Sequence, residues 1–360
     1  MANLWRGVIR EYADRLNVTD ATPVVTLGEG GTPLIPAPAL SARTGANVFV
    51  KYEGMNPTGS FKDRGMTMAI SKAVEHGAKA VICASTGNTS ASAAAYATHA
   101  GISSVVLVPE GKIAMGKLSQ AIAHNASLLQ VQGNFDDCLD IARELSANYP
   151  VHLVNSVNPD RIDGQKTAAF EIIEQLGKTP DFHFIPVGNA GNYTAYHRGF
   201  REFADAGLAT HVPRMFGFQA EGSAPIVLGH PVKNPETIAS AIRIGNPASW
   251  ELALSARDDS NGYFGALSDA KILEAHRILS AEVGIFVEPA SAISVAGLLE
   301  RSAAGEIPAG STVTVTVTGH GLKDPQWALR TDDGSDVQPT VVPVDVAQIA
   351  DVLGLVKGTA

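Results

Sequence analysis

The sequence has little cysteine and little charge, and each shortage excludes something. Two cysteines in 360 residues, Cys83 and Cys138, form neither a CxxC pair nor a disulfide framework, which predicts a reducing, cytoplasmic setting. There is no H-E-x-x-H and no Cys/His cluster at zinc spacing, so no metal site is expected. No apolar run approaches the ~18 residues of a membrane helix. The first residues, Met1-Ala2-Asn3-Leu4-Trp5-Arg6, lack the apolar stretch of a secretory signal. A basic block is missing too. Against 36 Asp and Glu stand 27 Lys and Arg, a net charge of −9, which disfavours a nucleic-acid-binding face. Charged residues make up 18% of the chain and hydrophobic ones 45%, which excludes a disordered chain. A chain of this length buries roughly three quarters of the surface it would expose unfolded, enough for a sizeable core.

What is present is alternation. Short β-branched runs predict strands over 48–51, 80–84, 104–109, 128–131, 151–154, 182–187, 215–219 and 312–318. Several are almost wholly apolar, as strands covered on both faces are. Between them, helical patterns run over 61–76, 88–100, 135–147, 163–176, 191–203, 269–282 and 289–302. Several end at a glycine, a C-cap signal. Strand then helix, repeated, gives right-handed βαβ units and an α/β layered fold. The polar stretch 331–339 leads to a further predicted strand, 341–344, and a short helix. Ligands in such folds sit at the carboxyl ends of strands, and four polar turns at those ends carry the chemistry.

The first turn is Asn56-Pro57-Thr58-Gly59-Ser60-Phe61-Lys62-Asp63-Arg64-Gly65. Ser60 and Asp63 read as a capping box, which puts Lys62 in the first helical turn, at the positive end of the dipole. The dipole lowers the amine's pKa there, so it can attack an aldehyde; a tolerated surface lysine is the plainer reading. The second is Ser85-Thr86-Gly87-Asn88-Thr89-Ser90, where hydroxyls and a helix start suit a carboxylate, or simply cap a helix. The third, Gly188-Asn189-Ala190-Gly191-Asn192, lets backbone N–H groups close on a phosphate, or makes a tight turn. The fourth is Thr316-Val317-Thr318-Gly319-His320-Gly321-Leu322-Lys323-Asp324, a strand ending in a hydroxyl beside a glycine turn. One cofactor explains all four jointly: pyridoxal 5′-phosphate, with its aldehyde, phosphate, phenolic oxygen and ring nitrogen.

These motifs, with Gly28-Glu29-Gly30-Gly31-Thr32-Pro33-Leu34 upstream, resemble the tryptophan-synthase-β-like (fold type II) pyridoxal-phosphate enzymes, and among them the threonine synthases. The turns of threonine and serine dehydratases and of cysteine synthases do not match. The resemblance implies two three-layer α/β domains with mostly parallel twisted sheets and the active site in the cleft between them. A large cofactor-binding domain would span 1–52 plus 158–360, and a small substrate-binding domain 53–157. Lys62 would carry the cofactor and act as the catalytic base. Asn88 would bond its phenolic oxygen, Gly188, Asn189, Ala190, Gly191 and Asn192 its phosphate, and Thr318 its ring nitrogen. Ser85, Thr86, Asn88 and Thr89 would take the substrate carboxylate. Lys117, Asn155, Ser156 and Arg161 are candidates for the substrate phosphate, although surface charge also explains the two cations. The implied reaction converts O-phospho-L-homoserine and water to L-threonine and phosphate in a cytoplasmic homodimer. The competing readings are a dehydratase on the same scaffold, a catalytically silent pyridoxal-phosphate-binding protein, and a phosphate-binding α/β domain without cofactor.

Overall fold

The computed structural model describes residues 4–111, 115–330 and 335–355; for 115–117 and 135–136 it describes the backbone alone. The chain forms two compact units, 1–324 and 325–360. In the first unit, the described strands make two sheets. Strands β1 (Leu34–Pro36), β2 (Asn47–Tyr52), β7 (Phe182–Pro186), β8 (Arg214–Ala220), β9 (Tyr263–Leu267) and β10 (Thr312–Val317) form a six-stranded sheet in the order β1-β2-β10-β7-β8-β9. Within it β1 runs antiparallel to its neighbour and the other pairs are parallel. Strands β3 (Ala80–Ala84), β4 (Ser103–Pro109), β5 (Ser127–Val131) and β6 (Val151–Leu153) form a parallel sheet in the order β5-β4-β3-β6.

Both sheets are covered on both faces, which accounts for their apolar runs. In the large sheet, Phe184, Phe218, Val313 and Val315 pack with the helices Asp269–Ile278 and Pro289–Ala303. Ile185, Val187 and Met215, on the opposite face, meet Pro159–Leu176, Gly191–Asp205 and Trp250–Asp259. In the small sheet, Val81, Cys83, Val106 and Val108 face Lys62–Glu75 and Asn88–His99. Ile82, Ala84 and Leu107 face Cys138 and Ala142 on Phe135–Asn148. Each sheet is thus the middle of three layers, as the family resemblance implies.

Strand β9 escapes the sequence pattern because Gly262 and Gly265 read as a loop; those glycines make room for Tyr193 and Phe218. Strand β1 is three residues bounded by prolines. The helix Met115–Ala123 also lies outside the helical patterns of the sequence. Beyond Ile278 the predicted helix continues as a π-helical turn over Leu279–Val283. In the second unit the expected strand 341–344 does not form. Val341 and Val344 are fully exposed, no described strand pairs with the segment, and Pro343 has no N–H to give a ladder. The short helix that follows it, Val346–Val352, is present. Among the described residues, no helix is long and apolar enough to cross a membrane, and no group of three His, Cys, Asp or Glu could hold a metal.

Candidate active site

A cavity of about 750 Å³ in the first unit is lined by all four turns. It lies beyond the carboxyl ends of β3, β6, β7 and β10, where parallel sheets leave strand-end turns for ligands. Lys62, Ser85, Thr86, Asn88, Thr89, Asn155, Ser156, Arg161, the run 188–192 and Thr318 all line it. Lys117 sits in the helix Met115–Ala123, but its side chain lies outside the described residues.

The lysine turn and the Thr318 turn are joined by a short ladder. Phe61 N donates to Thr318 O at 2.9 Å and His320 N to Gly59 O at 2.9 Å, with Ser60 bridged to Gly319. This clamp replaces the expected capping box. The helix begins at Lys62 after Phe61, with no side-chain cap. Asp63 accepts instead from Thr58 N (2.7 Å), Thr58 Oγ1 (2.6 Å) and Ser92 Oγ (2.5 Å), and Ser60 Oγ is buried with no partner among the described residues.

A close crossing of their two helices brings Arg161 near enough to Lys62 for its charge to act on the amine. A Cβ on Gly164 would lie 2.0 Å from Arg64 O, and one on Gly65 would lie 2.8 Å from Arg161 O. Only glycines allow this approach. Arg161 is 1% exposed. One of its Nη groups donates to Val154 O at 3.1 Å; among the described residues its Nε has no partner and no carboxylate pairs with it. Burial pulls its guanidinium down to about 10, still charged at neutral pH. The Lys62 amine falls to about 7. Burial is the main cause and Arg161 the second, with Glu288 pulling the other way. The sequence points to the helix dipole, and Lys62 does open its helix; burial and Arg161 are causes that the sequence does not reveal. An amine lowered that far has a neutral form accessible near neutral pH, as a nucleophile and base requires.

Two helix starts face the cavity with free donors. The helix Gly191–Asp205 starts after Ala190, which takes a left-handed conformation (φ 64°) and supplies no side-chain cap. A non-glycine residue held there is strained. None of the N–H groups from Gly188 to Asn192 donates to another described residue, so the run is a nest open to an anion. Gly188 also packs tightly on the segment 241–242. At the helix Asn88–His99, Ser90 Oγ donates to Gly87 O at 2.8 Å, and the side chains of Ser85, Thr86 and Thr89 edge the cavity. Asn155 is less available. Its amide grips the backbone of Ala84 at both ends, at 3.0 Å each.

Several residues escape a reading of the sequence. Glu288 is buried, and Asn88 Nδ2 donates to its two oxygens at 3.0 and 3.2 Å. Burial pushes this carboxyl up, against the pull of Asn88 and Lys323. The one signal for it is an acid just before a proline that opens a buried helix. Lys323 lines the cavity and donates to Thr58 O at 3.1 Å and to Gln120. The segment from Lys233 to Ile244 closes one wall; it is loop and a single 3-10 turn, without periodicity to mark it. These residues fit pyridoxal phosphate: a near-neutral lysine amine, an unfilled N–H nest for a phosphate, and the amide and hydroxyl of Asn88 and Thr318 on the walls between.

The comparisons agree. Residues 25–319 match the family described as pyridoxal-phosphate dependent enzyme. The threonine synthase of Synechocystis sp. is 58% identical, over 97% of this chain and 91% of that one. The threonine synthase of Mycobacterium bovis is 59% identical, over 98% and 97%. Among solved structures, maize serine racemase aligns with a TM-score of 0.72 at 21% identity, over 87% of this chain and 92% of that one. A threonine deaminase from Solanum lycopersicum gives 0.70 at 23%, over 80% and 79%; at such identity these two carry the fold alone. The chain belongs to the pyridoxal-phosphate-dependent enzymes, in the family of the threonine synthases.

Proposed function

We propose that the chain converts O-phospho-L-homoserine and water to L-threonine and phosphate. The observation that carries this reading is Arg161: a buried cation with no carboxylate partner among the described residues, on the wall of the same cavity as the lysine and near enough to lower its amine. A substrate with a carboxylate and a phosphate needs two anion sites besides the cofactor's own. Bound pyridoxal phosphate supplies an electron sink for negative charge next to an amino group. The N–H nest 188–192 holds the cofactor phosphate, Asn88 meets its phenolic oxygen and Thr318 its ring nitrogen. Lys62, its amine lowered to about 7 by burial and Arg161, binds the cofactor and then takes the substrate's Cα proton. Ser85, Thr86, Asn88 and Thr89 hold the substrate carboxylate at the helix start. Arg161 and Ser156 take the substrate phosphate, with Asn155 on the same wall and Lys117 as the sequence's further candidate, and the guanidinium offers the fork that phosphate prefers.

The two separate sheets support a division into a small lobe, 53–157, and a larger one, with the cavity between. The same reading includes a cytoplasmic homodimer; the two buried free cysteines suit a reducing compartment. Phosphate release from phosphohomoserine, with threonine as co-product, is the direct test. The wild type turns over and is yellow, and borohydride removes the band. Lys62→Ala folds, binds cofactor weakly, is not labelled and does not turn over. Labelling of that variant as in the wild type assigns the cofactor to another lysine. Threonine deamination without phosphate release makes the protein a dehydratase.

A further inference from the structure

Ser291 is fully buried and is not part of the cavity wall, yet it decides what Thr318 can offer there. Its Oγ accepts from two backbone donors, Thr318 N at 2.9 Å and Gly319 N at 2.8 Å. A hydroxyl has two lone pairs and one hydrogen. Both lone pairs are therefore taken, and the oxygen cannot accept a third hydrogen from Thr318. Its own hydrogen has two acceptors in reach, Thr318 Oγ1 at 2.9 Å and Gly319 O at 3.3 Å. The carbonyl is the more distant, and it already accepts from Glu288 N at 3.1 Å. The proton goes to the nearer oxygen. Thr318 Oγ1 is then an acceptor toward Ser291, and its own hydrogen points away, into the cavity.

We infer that Ser291 is a positioning residue: it polarises the Thr318 hydroxyl into a one-way donor, so the cofactor's pyridine nitrogen is held unprotonated, as an acceptor. The inference rests on the reading of Thr318 as the partner of that nitrogen. The serine is itself fixed. It lies in the first turn of the helix Pro289–Ala303, its N–H donates to Glu288 O at 2.9 Å, and its carbonyl is one of two acceptors, with Thr316 O, that lie 2.9 Å from Ser294 Oγ. With the Thr318 and Gly319 N–H groups on its two lone pairs, its hydrogen is left to the nearer Thr318 Oγ1 over the farther Gly319 O. A carboxylate in place of Thr318 would do the opposite and favour the protonated ring.

The test uses the full chain reconstituted with pyridoxal phosphate labelled with ¹⁵N in the ring. The wild-type signal should be that of a neutral, hydrogen-bonded nitrogen, and it should not move as the pH is lowered. In Ser291→Ala the Thr318 hydroxyl can rotate. The signal should shift toward that of an unbonded neutral ring, and cofactor affinity should fall roughly tenfold. Because Ser291→Ala also strands two buried N–H groups, Thr318→Val is the second variant; it should give the same shift by removing the donor. A protonated nitrogen in the wild type overturns the inference, as does a signal unchanged in Thr318→Val or in folded Ser291→Ala. A wild type that takes up no cofactor overturns the functional reading as well, whereas uptake with a protonated ring overturns this inference alone.

Discussion

Arg64 and Arg161 lie on crossing helices, and both guanidiniums are buried, at 0% and 1% exposure. Their surroundings are opposite. Arg64 bonds Glu53 at 2.7 and 2.8 Å and Glu171 at 2.5 and 2.8 Å, and Lys51 adds a third bond to Glu171 at 2.7 Å. Two cations meet two anions, and the cluster is neutral. Burial pulls the Glu171 carboxyl up, but Arg64 and Lys51 outweigh it and hold the acid at about 2. Arg161 has one carbonyl and an orphaned Nε. Burying an unpaired charge is expensive. Where the fold meets that cost internally, the arginine is a staple that fixes the lysine turn. Where no carboxylate among the described residues meets it, as at Arg161, the partner we propose is an anion that arrives.

Stability should separate the two arginines most sharply. Arg64→Met leaves Glu53 and Glu171 short of a partner in the core and should cost about 3–5 kcal/mol in urea unfolding. Arg161→Met removes a charge that no carboxylate among the described residues pairs with, and should change stability by less than about 1 kcal/mol or raise it. Equal losses would make Arg161 a staple as well.

The helix crossing comes next. Gly164→Ala drives a Cβ into Arg64 O and should cost about 1–3 kcal/mol. It should also weaken turnover, because Arg161 moves away from Lys62. Normal stability in this variant would mean that the helices part without cost.

A smaller effect is electrostatic. The rate at which apoprotein captures cofactor should rise with pH through about 7 and then level, following the neutral amine of Lys62. The folded amine titrates below its ordinary 10.5. Between those values the unfolded chain binds more protons, so apoprotein stability should also rise with pH there. In Arg161→Met the midpoint of capture should move upward, since a neighbouring cation is gone. A midpoint that stays put would leave burial as the whole cause.

The contrast between the arginines also shows what a sequence exposes. Lys62, Asn88, Thr318 and the run 188–192 sit in strand-end turns, where local pattern and chemistry coincide. Arg161 is three residues into a helix after a strand, and topology alone can place it at the same mouth. Its lack of a carboxylate is not legible, because a missing partner is a tertiary fact. The Arg64 cluster is hidden for the converse reason: Lys51, Glu53, Arg64 and Glu171 come from separate elements, and nothing local says that they meet. Glu288 and Ser291 bond Asn88 and Thr318 from the start of a helix that reads as plain core. The capping box fails because long-range pairing of Ser60 with Gly319 overrides a local preference. Strand 341–344 fails because β propensity without a partner makes no sheet.

The central claim is that Arg161 is the partner of the substrate's phosphate. Its most direct test is kcat/KM for phosphohomoserine and for threonine deamination, measured side by side in the wild type and Arg161→Ala. Losing one charge-assisted contact costs roughly 1.5–3 kcal/mol, or about ten- to a hundredfold. Phosphohomoserine should lose at least that tenfold, and threonine, which has no phosphate, should lose much less. Equal losses on both substrates would contradict the account and make Arg161 a structural residue.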